Sequence, residues 1–356
     1  MTSSSSQSLL ELLDIEWPII QAPMAGTSTP AMAAAVSNAG GLGSLGLGAA
    51  TPASARDMIA AVRERSSRSL NVNMFCHQPA KADRTREAAW LERLRPEFER
   101  VKAEPPAAMR EIYKSFLVDE EMFKVLLDTR PKVVSFHFGV PSREWIQALR
   151  EAGIVLLGSA TNLREARLAV AAGVHAVVAQ GCEAGGHRGM YDPDGADEQL
   201  GTMALVRILA RELDVPVIAA GAIMDGAGIA AALRLGASAA QLGTAFVGTD
   251  ESGADAGYRA ALFSSAAEHT VMTRVISGRP ARCLANRFTA FGENVAPADV
   301  PAYPIVYDAG KSLNAAAKAV GEFGYGAQWA GQGAPLARAM SAGKLMAELI
   351  AELSER

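Results

Sequence analysis

The chain has 356 residues, and 49% of them are apolar, which is enough for a large core and excludes wholesale disorder. Its formal charge of −4, from 34 basic and 38 acidic residues, argues against partners such as nucleic acid or an anionic membrane. The three cysteines, Cys76, Cys182 and Cys283, are widely separated, so we expect neither a disulfide framework nor a metal site.

The amino-terminal segment, residues 1–13, lacks the basic start and apolar run of a signal peptide. No charged residue occurs from Trp17 to Ala55, but prolines such as Pro23 and Pro30 would break a membrane-spanning helix there. We interpret this stretch as buried strands. We therefore expect a soluble, cytoplasmic protein that does not associate with membranes.

Short apolar runs recur along the chain, as is typical of strands that are covered on both faces in a parallel sheet. The eight predicted strands are Pro18–Met24, Gly41–Leu47, Leu70–Phe75, Lys132–Phe138, Gly153–Ser159, His175–Gln180, Val215–Ala220 and Ala239–Phe246. Segments with helical periodicity lie between them, namely Pro30–Asn38, Pro52–Arg65, Ser142–Ala152, Asn162–Ala172, Thr202–Leu213 and Gly226–Leu235. Eight such units close an α/β fold of the (β/α)8 TIM-barrel type. An open doubly wound sheet of eight strands would be unusually wide.

Two segments interrupt this alternation. Residues 78–130 are charged and helix-prone, and we predict that they form a helical insertion outside the barrel. After residue 249 the pattern changes to a short helix, a short strand and a proline-rich loop. We therefore predict a barrel domain at residues 1–249 and 329–356, and a smaller α+β domain at residues 250–328 that caps the barrel mouth.

A glycine pattern at Gly41–Gly46 matches the dinucleotide-binding fingerprint. The fingerprint works only when a strand precedes it and a helix follows, and here the predicted order is the reverse. We interpret the match as coincidental. The chain also lacks the glycine-rich phosphate loop, the zinc-protease motif and the serine-hydrolase elbow. The sequence therefore does not support a kinase, a zinc protease or a serine hydrolase.

The strongest local signal is the segment Gln180–Gly189, which follows the sixth predicted strand. This position places it at the carboxyl-terminal face of a barrel, where active sites of this fold lie. Gly185 and Gly186 remove side chains just before His187, so the backbone can approach a flat or anionic ligand and the imidazole can project into the mouth. A ligand-binding loop is favoured over a capping loop whose histidine only binds the main chain.

The turns after the seventh and eighth strands, at residues 221–223 and 241–244, are where barrels with phosphorylated cofactors bind phosphate. Asp225 and Gly226 begin the helix after the first turn, and Thr244 can donate a hydroxyl group. Either turn alone suits ordinary strand-to-helix geometry. The two turns together favour a phosphate.

Other polar residues leave more than one interpretation open. His137, at the end of the fourth strand, faces either the mouth or the core, and the Asn73 amide needs a ligand or main-chain partner inside an apolar strand. Tyr303, Tyr307 and Lys311 recur every four residues, so in a helix they would share one face that suits a small anionic substrate. Spacing alone favours two half-buried aromatic residues and a solvated lysine.

Several of these motifs together resemble the nitronate monooxygenase family, formerly called 2-nitropropane dioxygenases. They run from about Ile19 to the last helix in the family's order and are Gln21–Met24, Asn71–Asn73, Ser135–Gly139, Gln180–Gly189, Ala219–Gly221 and Gln241–Thr244. Tyr303–Lys311 and Gln328–Gly333 resemble class I of the family more narrowly. The Glu-Ala-Gly-Gly-His sequence alone is shared with sister FMN enzymes.

The resemblance implies a TIM barrel that binds FMN and oxidises alkyl nitronates, such as propionate 3-nitronate, with O2 to a carbonyl compound and nitrite, without NAD(P)H. It implies that His187 is the catalytic base, and we expect a monomer or homodimer. The residues implied for FMN binding are Ala22, Pro23, Met24, Asn73, Gln180, Gly185, Gly221, Ala222, Gln241, Leu242, Gly243 and Thr244. The residues expected at the substrate are His137, Tyr113, Tyr258, Tyr303, Tyr307 and Lys311.

One position departs from the family pattern, because Ala222 stands where relatives often have a second glycine. A methyl group is tolerable there unless the backbone needs a positive φ. The nearest alternative function is an FMN-dependent NAD(P)H:quinone or enoyl-thioester reductase on the same barrel, with His187 as a proton donor. A non-catalytic flavin carrier is an alternative of a different class.

Overall fold

The computed structural model describes residues 9–355, and a barrel of parallel strands lies at its centre. The strands are β1 (Ile19–Gln21), β2 (Gly43–Gly46), β3 (Leu70–Phe75), β4 (Val133–His137), β5 (Val155–Ala160), β6 (Ala176–Gln180), β7 (Gly186–His187), β8 (Val217–Ala220), β9 (Ala239–Leu242), β10 (Thr270–Thr273) and β11 (Ala281–Leu284). Eight of them form one parallel sheet in the order β1-β9-β8-β6-β5-β4-β3-β2. A bridge between Ile20 and Leu42 joins its two edges and closes the barrel. The predicted TIM-barrel fold is confirmed.

Helices surround the barrel and form most of the remaining structure. They are α1 (residues 9–13 of the described chain), α2 (Pro30–Asn38), α3 (Pro52–Arg63), α4 (Arg84–Arg100), α5 (Glu120–Thr129), α6 (Arg143–Glu151), α7 (Leu163–Ala172), α8 (Thr202–Glu212), α9 (Gly226–Arg234), α10 (Thr244–Val247), α11 (Ala256–Leu262), α12 (Arg287–Phe291), α13 (Ile305–Ala319) and α14 (Ala342–Ser354). None of the described helices combines the length and apolar character that crossing a membrane requires.

Side-chain caps begin several of the barrel helices. Thr29, Thr51 and Asn162 each accept a hydrogen bond from the main-chain N–H three residues later, which satisfies one of the free donors of the first turn. Gly173 ends α7 with a φ of 109°, a left-handed conformation that glycine adopts without a steric penalty. These local signals explain why the predicted helix positions agree closely with the observed ones.

The predicted eighth strand, Ala239–Phe246, is too long. Strand β9 ends at Leu242, and the next residues turn at Gly243 and form the short helix α10. Every residue of α10 is buried, so the apolar run continues from strand into helix without a change in hydropathy. Periodicity cannot separate the two in so short a run.

The barrel strands bury both of their faces. Val133, Leu157 and Ile218 belong to a cluster inside the barrel, which Leu9 and Leu13 of α1 also join. Alternate residues on the same strands, such as Val134, Leu156 and Ala219, pack instead with the surrounding helices. Burial on both faces explains why the strands show continuous apolar runs rather than alternation.

The fingerprint-like glycines have a packing role. The predicted order is confirmed, because helix α2 precedes them and strand β2 follows. A Cβ atom at Gly43 would overlap the main-chain carbonyl group of Ala33 in α2. The glycines therefore let the helix lie close against the strand.

Helix α4 packs against the 250–328 segment, whereas Met122 and Leu126 of α5 pack in the cluster between the barrel strands and the surrounding helices. Trp90 and Phe98 of α4 share a buried cluster with Phe288 and Leu313. Strands β10, β11 and β7 form a small antiparallel sheet in which Ala281 pairs with His187. This pairing ties the segment after β6 to the later part of the chain. The division into a barrel domain and a capping domain stays a prediction, and residues 1–8 and 356 of the predicted barrel domain lie outside the described residues.

Candidate active site

A cavity of about 600 Å³ lies at the carboxyl ends of the barrel strands, the edge where barrel enzymes place their active sites. Eighteen of the predicted site residues line it, namely Ala22, Pro23, Met24, Asn73, Tyr113, His137, Gln180, Gly185, His187, Gly221, Ala222, Gln241, Gly243, Thr244, Tyr258, Tyr303, Tyr307 and Lys311. Leu242 does not line the cavity, because its side chain is buried between the barrel and the helices. Its carbonyl oxygen instead accepts a hydrogen bond from the N–H of Ala22 at 2.8 Å.

Main-chain amides are available along one side of the cavity. The N–H groups of Ala222, Gly243 and Thr244 donate to no acceptor within residues 9–355, and α10 begins at Thr244 without a side-chain cap. Unpaired amides are rare in folded proteins, and they bind anions well at the start of a helix. This side of the cavity therefore suits a phosphate group.

The amides of the neighbouring helix α9 are already engaged. The carboxylate of Asp225 accepts the N–H of Gly228 at 2.8 Å, and Glu352 accepts the N–H of Gly226 at 2.7 Å. A phosphate would meet two carboxylates there, and like charges repel. The structure thus narrows the expected phosphate site to the Gly221–Ala222 and Gly243–Thr244 turns.

Ala222 has a φ of 53°, in the left-handed region that favours glycine. For a residue with a Cβ atom this conformation costs about 1 kcal/mol. The backbone at this position does need a positive φ, so the methyl group that distinguishes this chain from the family pattern is strained. Strain at a ligand-facing turn persists only where the surrounding structure imposes it.

His187 is held from two directions. Its Nε2 atom lies 2.8 Å from the Oγ of Ser277, while its carbonyl oxygen accepts hydrogen bonds from the Gln180 amide at 2.9 Å and from His137 Nε2 at 3.2 Å. The Oγ of Ser277 also lies 3.4 Å from the main-chain oxygen of Arg279, so the serine can donate to that oxygen while it accepts from Nε2–H. These contacts hold the ring of His187 in one orientation.

Burial, together with smaller effects of His137 and Arg279, lowers the pKa of His187 to about 3. The imidazole is therefore neutral at pH 7 and can accept a proton. A histidine with so low a pKa is a weak base, but it does not need to lose a proton before it acts.

The other cavity histidine, His137, uses both ring nitrogens within the protein. Its Nδ1 lies 2.7 Å from the Oγ of Ser159, and its Nε2 donates to the His187 carbonyl oxygen. Burial lowers the pKa of His137 to about 4. The structure thus favours a supporting role for His137, although its ring does line the cavity.

Two of the residues predicted to bind the cofactor also make hydrogen bonds within the protein. The Asn73 amide donates to the Oγ of Ser135 at 2.9 Å and to its carbonyl oxygen, as a polar group in an apolar strand requires. Gln180 accepts the N–H of Gly189 at 2.7 Å and donates to the carbonyl oxygen of His187. These two bonds of Gln180 hold the segment that contains His187 beside the cavity.

Aromatic rings surround the His187 imidazole. The centroids of Trp329, Tyr303 and Tyr307 lie 5.1, 5.5 and 6.4 Å from that of the imidazole. The buried hydroxyl of Tyr303 has no hydrogen-bond partner among the described residues, whereas that of Tyr258 donates to the carbonyl oxygen of Trp329. The Tyr303 hydroxyl is thus free to bind a ligand.

Lys311 supplies a positive charge to the outer part of the cavity. Its Nζ atom lies 4.9 Å from the ring centroid of Tyr113 and 5.3 Å from that of Tyr307, and burial lowers its pKa. Tyr307 and Lys311 lie on α13, but Tyr303 precedes this helix, so the spacing of four is only partly helical. The structure nevertheless brings all three to the cavity.

Sequence reasoning missed several residues of the site. Ser277, Arg279 and Ser159 were not singled out, although Ser277 contacts His187 and Ser159 contacts His137. No local pattern marks them, because a serine or arginine in a loop is common. The long-range pairing of β11 with β7 is what brings the 277–279 connection beside the histidine.

The parallel barrel, the cavity at its carboxyl ends and the neutral histidine inside it define an α/β-barrel enzyme. The family model described as "Nitronate monooxygenase" matches residues 6–352. The nitronate monooxygenase of Paraburkholderia phytofirmans is 58% identical over 99% of this chain and 96% of its own, and that of Pseudomonas aeruginosa is 53% identical over 96% and 97%. The structure of nitroalkane oxidase from Streptomyces ansochromogenes superposes with a TM-score of 0.89, at 41% identity over 98% of each chain.

The chain therefore belongs to the nitronate monooxygenase family and is an oxidoreductase. The resemblance seen in the sequence is confirmed.

Proposed function

We propose that the protein is an FMN-dependent nitronate monooxygenase, which converts an alkyl nitronate and O2 to a carbonyl compound and nitrite without NAD(P)H. The observation that carries this proposal is the composition of one cavity. It combines unpaired main-chain amides at Ala222, Gly243 and Thr244 with a neutral His187 and the positive charge of Lys311. A cytoplasmic location and a monomeric or homodimeric state stay predictions from the sequence.

The residues present fit FMN. The free amides of the Gly221–Ala222 and Gly243–Thr244 turns would hold its phosphate, and Gly185 keeps the histidine segment close to the wall. A Cβ atom at Gly185 would lie 2.5 Å from the N atom of Gly331, so only glycine fits between the two segments. When bound, FMN supplies the electron acceptance and the reaction with O2 that no side chain provides.

The substrate end of the cavity fits a small anion. A nitronate carries a negative charge on its two oxygens, and the free hydroxyl of Tyr303 can donate a hydrogen bond to one of them. Lys311 adds an attractive charge, which matters more here than at a surface because the site is partly desolvated. Together these groups would bind and orient the substrate beside His187.

His187 has a different importance for neutral and anionic substrates. Because Ser277 engages Nε2, Nδ1 is the ring nitrogen that can take a proton. A neutral nitroalkane must lose its α-proton before oxidation, so it needs this acceptor. A nitronate has already lost that proton, so for this substrate His187 only forms part of the wall that binds it.

The test uses the purified protein with FMN. We expect a yellow protein that consumes O2 and releases nitrite with ethyl nitronate and with propionate 3-nitronate, and whose flavin is not reduced by NADH or NADPH under anaerobic conditions. Rapid flavin bleaching by NADPH, without O2 uptake on nitronates, would favour the reductase alternative. A colourless protein that does not bind added FMN would refute both functions.

A further inference from the structure

Arg279 is a buried cation that the proposed function does not use. It lies in the connection between β10 and β11 and is only 3% exposed. Its guanidinium donates to the carbonyl oxygen of Met190, and its Cζ atom lies 4.1 Å above the ring centroid of Phe138. The Nε atom has no hydrogen-bond partner among the described residues. A buried charge held only by a carbonyl oxygen and an aromatic face is expensive to retain.

The nearby carboxylates do not neutralise this charge. Glu165 accepts hydrogen bonds from the main chain and hydroxyl of Thr161 and from the N–H of Tyr191. Asp194 pairs with Arg274 at 2.8 Å. No ion pair to Arg279 occurs within residues 9–355. The positive charge of Arg279 is therefore not neutralised and can attract an anion near it.

Phe138 connects this charge to the cavity wall. Its ring centroid lies 5.6 Å from those of both His187 and Tyr303, and these two residues line the cavity. Given the 4.1 Å between Arg279 and the Phe138 ring, the guanidinium lies within about 10 Å of both wall residues. Phe138 has a φ of 71°, a strained conformation for a bulky residue that keeps its ring in this position.

The titratable groups that face this end of the cavity are all neutral or positive. They come from four elements and are His77 after β3, His137 of β4, His187 of β7, and Tyr303 and Tyr307 at the start of α13. Burial lowers the pKa values of the three histidines, and the charge of Arg279 contributes to each of these shifts. No carboxylate lines the cavity among the described residues. The wall at His187 therefore lies in a positive potential without a fixed counter-charge.

We propose that Arg279 is a specificity-determining residue, whose buried charge makes the His187 end of the cavity prefer an anionic head group over a neutral one of the same shape. The inference rests on the proposed function only for naming that head group as a nitronate. The charge of Arg279 attracts the head group across the cavity wall, and the free Tyr303 hydroxyl makes the direct contact.

The test compares binding of a planar anion and of a neutral nitro compound, without turnover. Nitrate and 2-methyl-2-nitropropane, a neutral nitro compound without an α-proton, are titrated into the FMN-loaded protein by calorimetry, in the wild type and in Arg279→Gln, Arg279→Lys and Arg274→Gln. The glutamine keeps a donor for the Met190 carbonyl group and removes the charge, while the lysine keeps the charge. Arg274→Gln removes a charge from the same connection, but one that is already paired with Asp194.

We expect Arg279→Gln to weaken nitrate binding roughly tenfold, as a charge about 10 Å away predicts, and to change the binding of 2-methyl-2-nitropropane less than about twofold. Arg279→Lys and Arg274→Gln are expected to bind nitrate within about twofold of the wild type. Equal losses for both ligands in Arg279→Gln, or no loss for nitrate, would overturn the proposal.

A second measurement covers the case in which Arg279→Gln does not fold. A wild-type protein that binds nitrate no more tightly than 2-methyl-2-nitropropane overturns the proposal without any variant. Failure of the proposed function is distinguishable, because a protein with Arg279-dependent nitrate binding and no oxidation of nitronates keeps this inference and loses the reaction.

Discussion

The Nε2 atom of His187 lies 2.8 Å from the Oγ of Ser277, although the two residues are ninety positions apart in the chain. The serine is fully buried, and its Oγ also lies 3.4 Å from the Arg279 carbonyl oxygen, so the hydroxyl can donate to that oxygen while it accepts from the imidazole. A third group that orients a histidine is a recurring feature of enzyme sites. Because this bond engages Nε2, Nδ1 is the ring nitrogen left for a ligand.

Ser277→Ala removes this orienting bond and leaves the cavity lining unchanged. We expect kcat for a neutral nitroalkane to fall about fivefold, since one hydrogen bond contributes about 1 kcal/mol, with little change in KM. Ser277→Thr, which keeps the hydroxyl, is expected to restore most of the rate. Steady-state kinetics on all three proteins is the measurement, and an alanine variant with wild-type kcat would contradict the role of Ser277.

His187→Asn separates the two substrate types. We expect it to abolish turnover of neutral nitroalkanes, because no other histidine with a free ring nitrogen lines the cavity among the described residues, and to spare part of the activity on nitronates. Both of the His137 ring nitrogens are already engaged, so His137 cannot substitute. Oxygen uptake with nitroethane and with ethyl nitronate tests this, and wild-type rates on both would show that His187 is not the base.

The barrel could be predicted from the sequence because the signals that indicate it are local. Continuous apolar runs and capped helices repeat along the chain, and the fold rule that active sites follow the strand ends then located His187 and the glycine turns. The boundary of β9 and α10 was not predictable, because both elements are buried. Ser277 and Arg279 were not predictable either, since only the pairing of β11 with β7 brings them to the site.

Ala222→Gly should stabilise the protein. Its φ of 53° strains a residue with a Cβ atom, and relief of that strain exceeds the entropy that glycine adds to the unfolded chain, for a net gain of about 0.5 kcal/mol. Urea unfolding is the measurement. The matched control is Gly221→Ala, whose Cβ atom would lie 2.5 Å from the Oγ1 of Thr202 and whose φ is 134°, so this variant is expected to be less stable. Equal stability of all three proteins would contradict the strain.

Lys311→Met should distinguish substrates by charge. We expect KM for propionate 3-nitronate, which carries a second negative charge, to rise about tenfold, and KM for ethyl nitronate to rise less than about threefold. Lys318→Met on the same helix removes a lysine that pairs with Asp255, outside the cavity, and should change neither value. An equal effect of Lys311→Met on both substrates would show that the lysine does not contact the carboxylate.

Three buried histidines should make the protein acid-sensitive. Burial lowers the pKa values of His77 and His137 to about 4 and that of His187 to about 3, from an unfolded value of 6.5. Below pH 6.5 the unfolded chain therefore binds more protons than the folded one, and stability falls as the pH decreases towards 4. Each histidine contributes a slope of up to about 1.4 kcal/mol per pH unit.

The free energy of unfolding, measured in urea at pH 7, 6 and 5, is expected to decrease with a slope that steepens below pH 6. His77→Phe keeps a ring against Tyr303, whose centroid lies 4.9 Å from that of His77, and removes one of the three titrating groups. We expect this variant to lose about a third of the histidine-dependent slope. A wild-type stability that stays constant from pH 7 to 5 would show that these imidazoles can be protonated inside the folded protein, which would also remove the basis for a neutral His187.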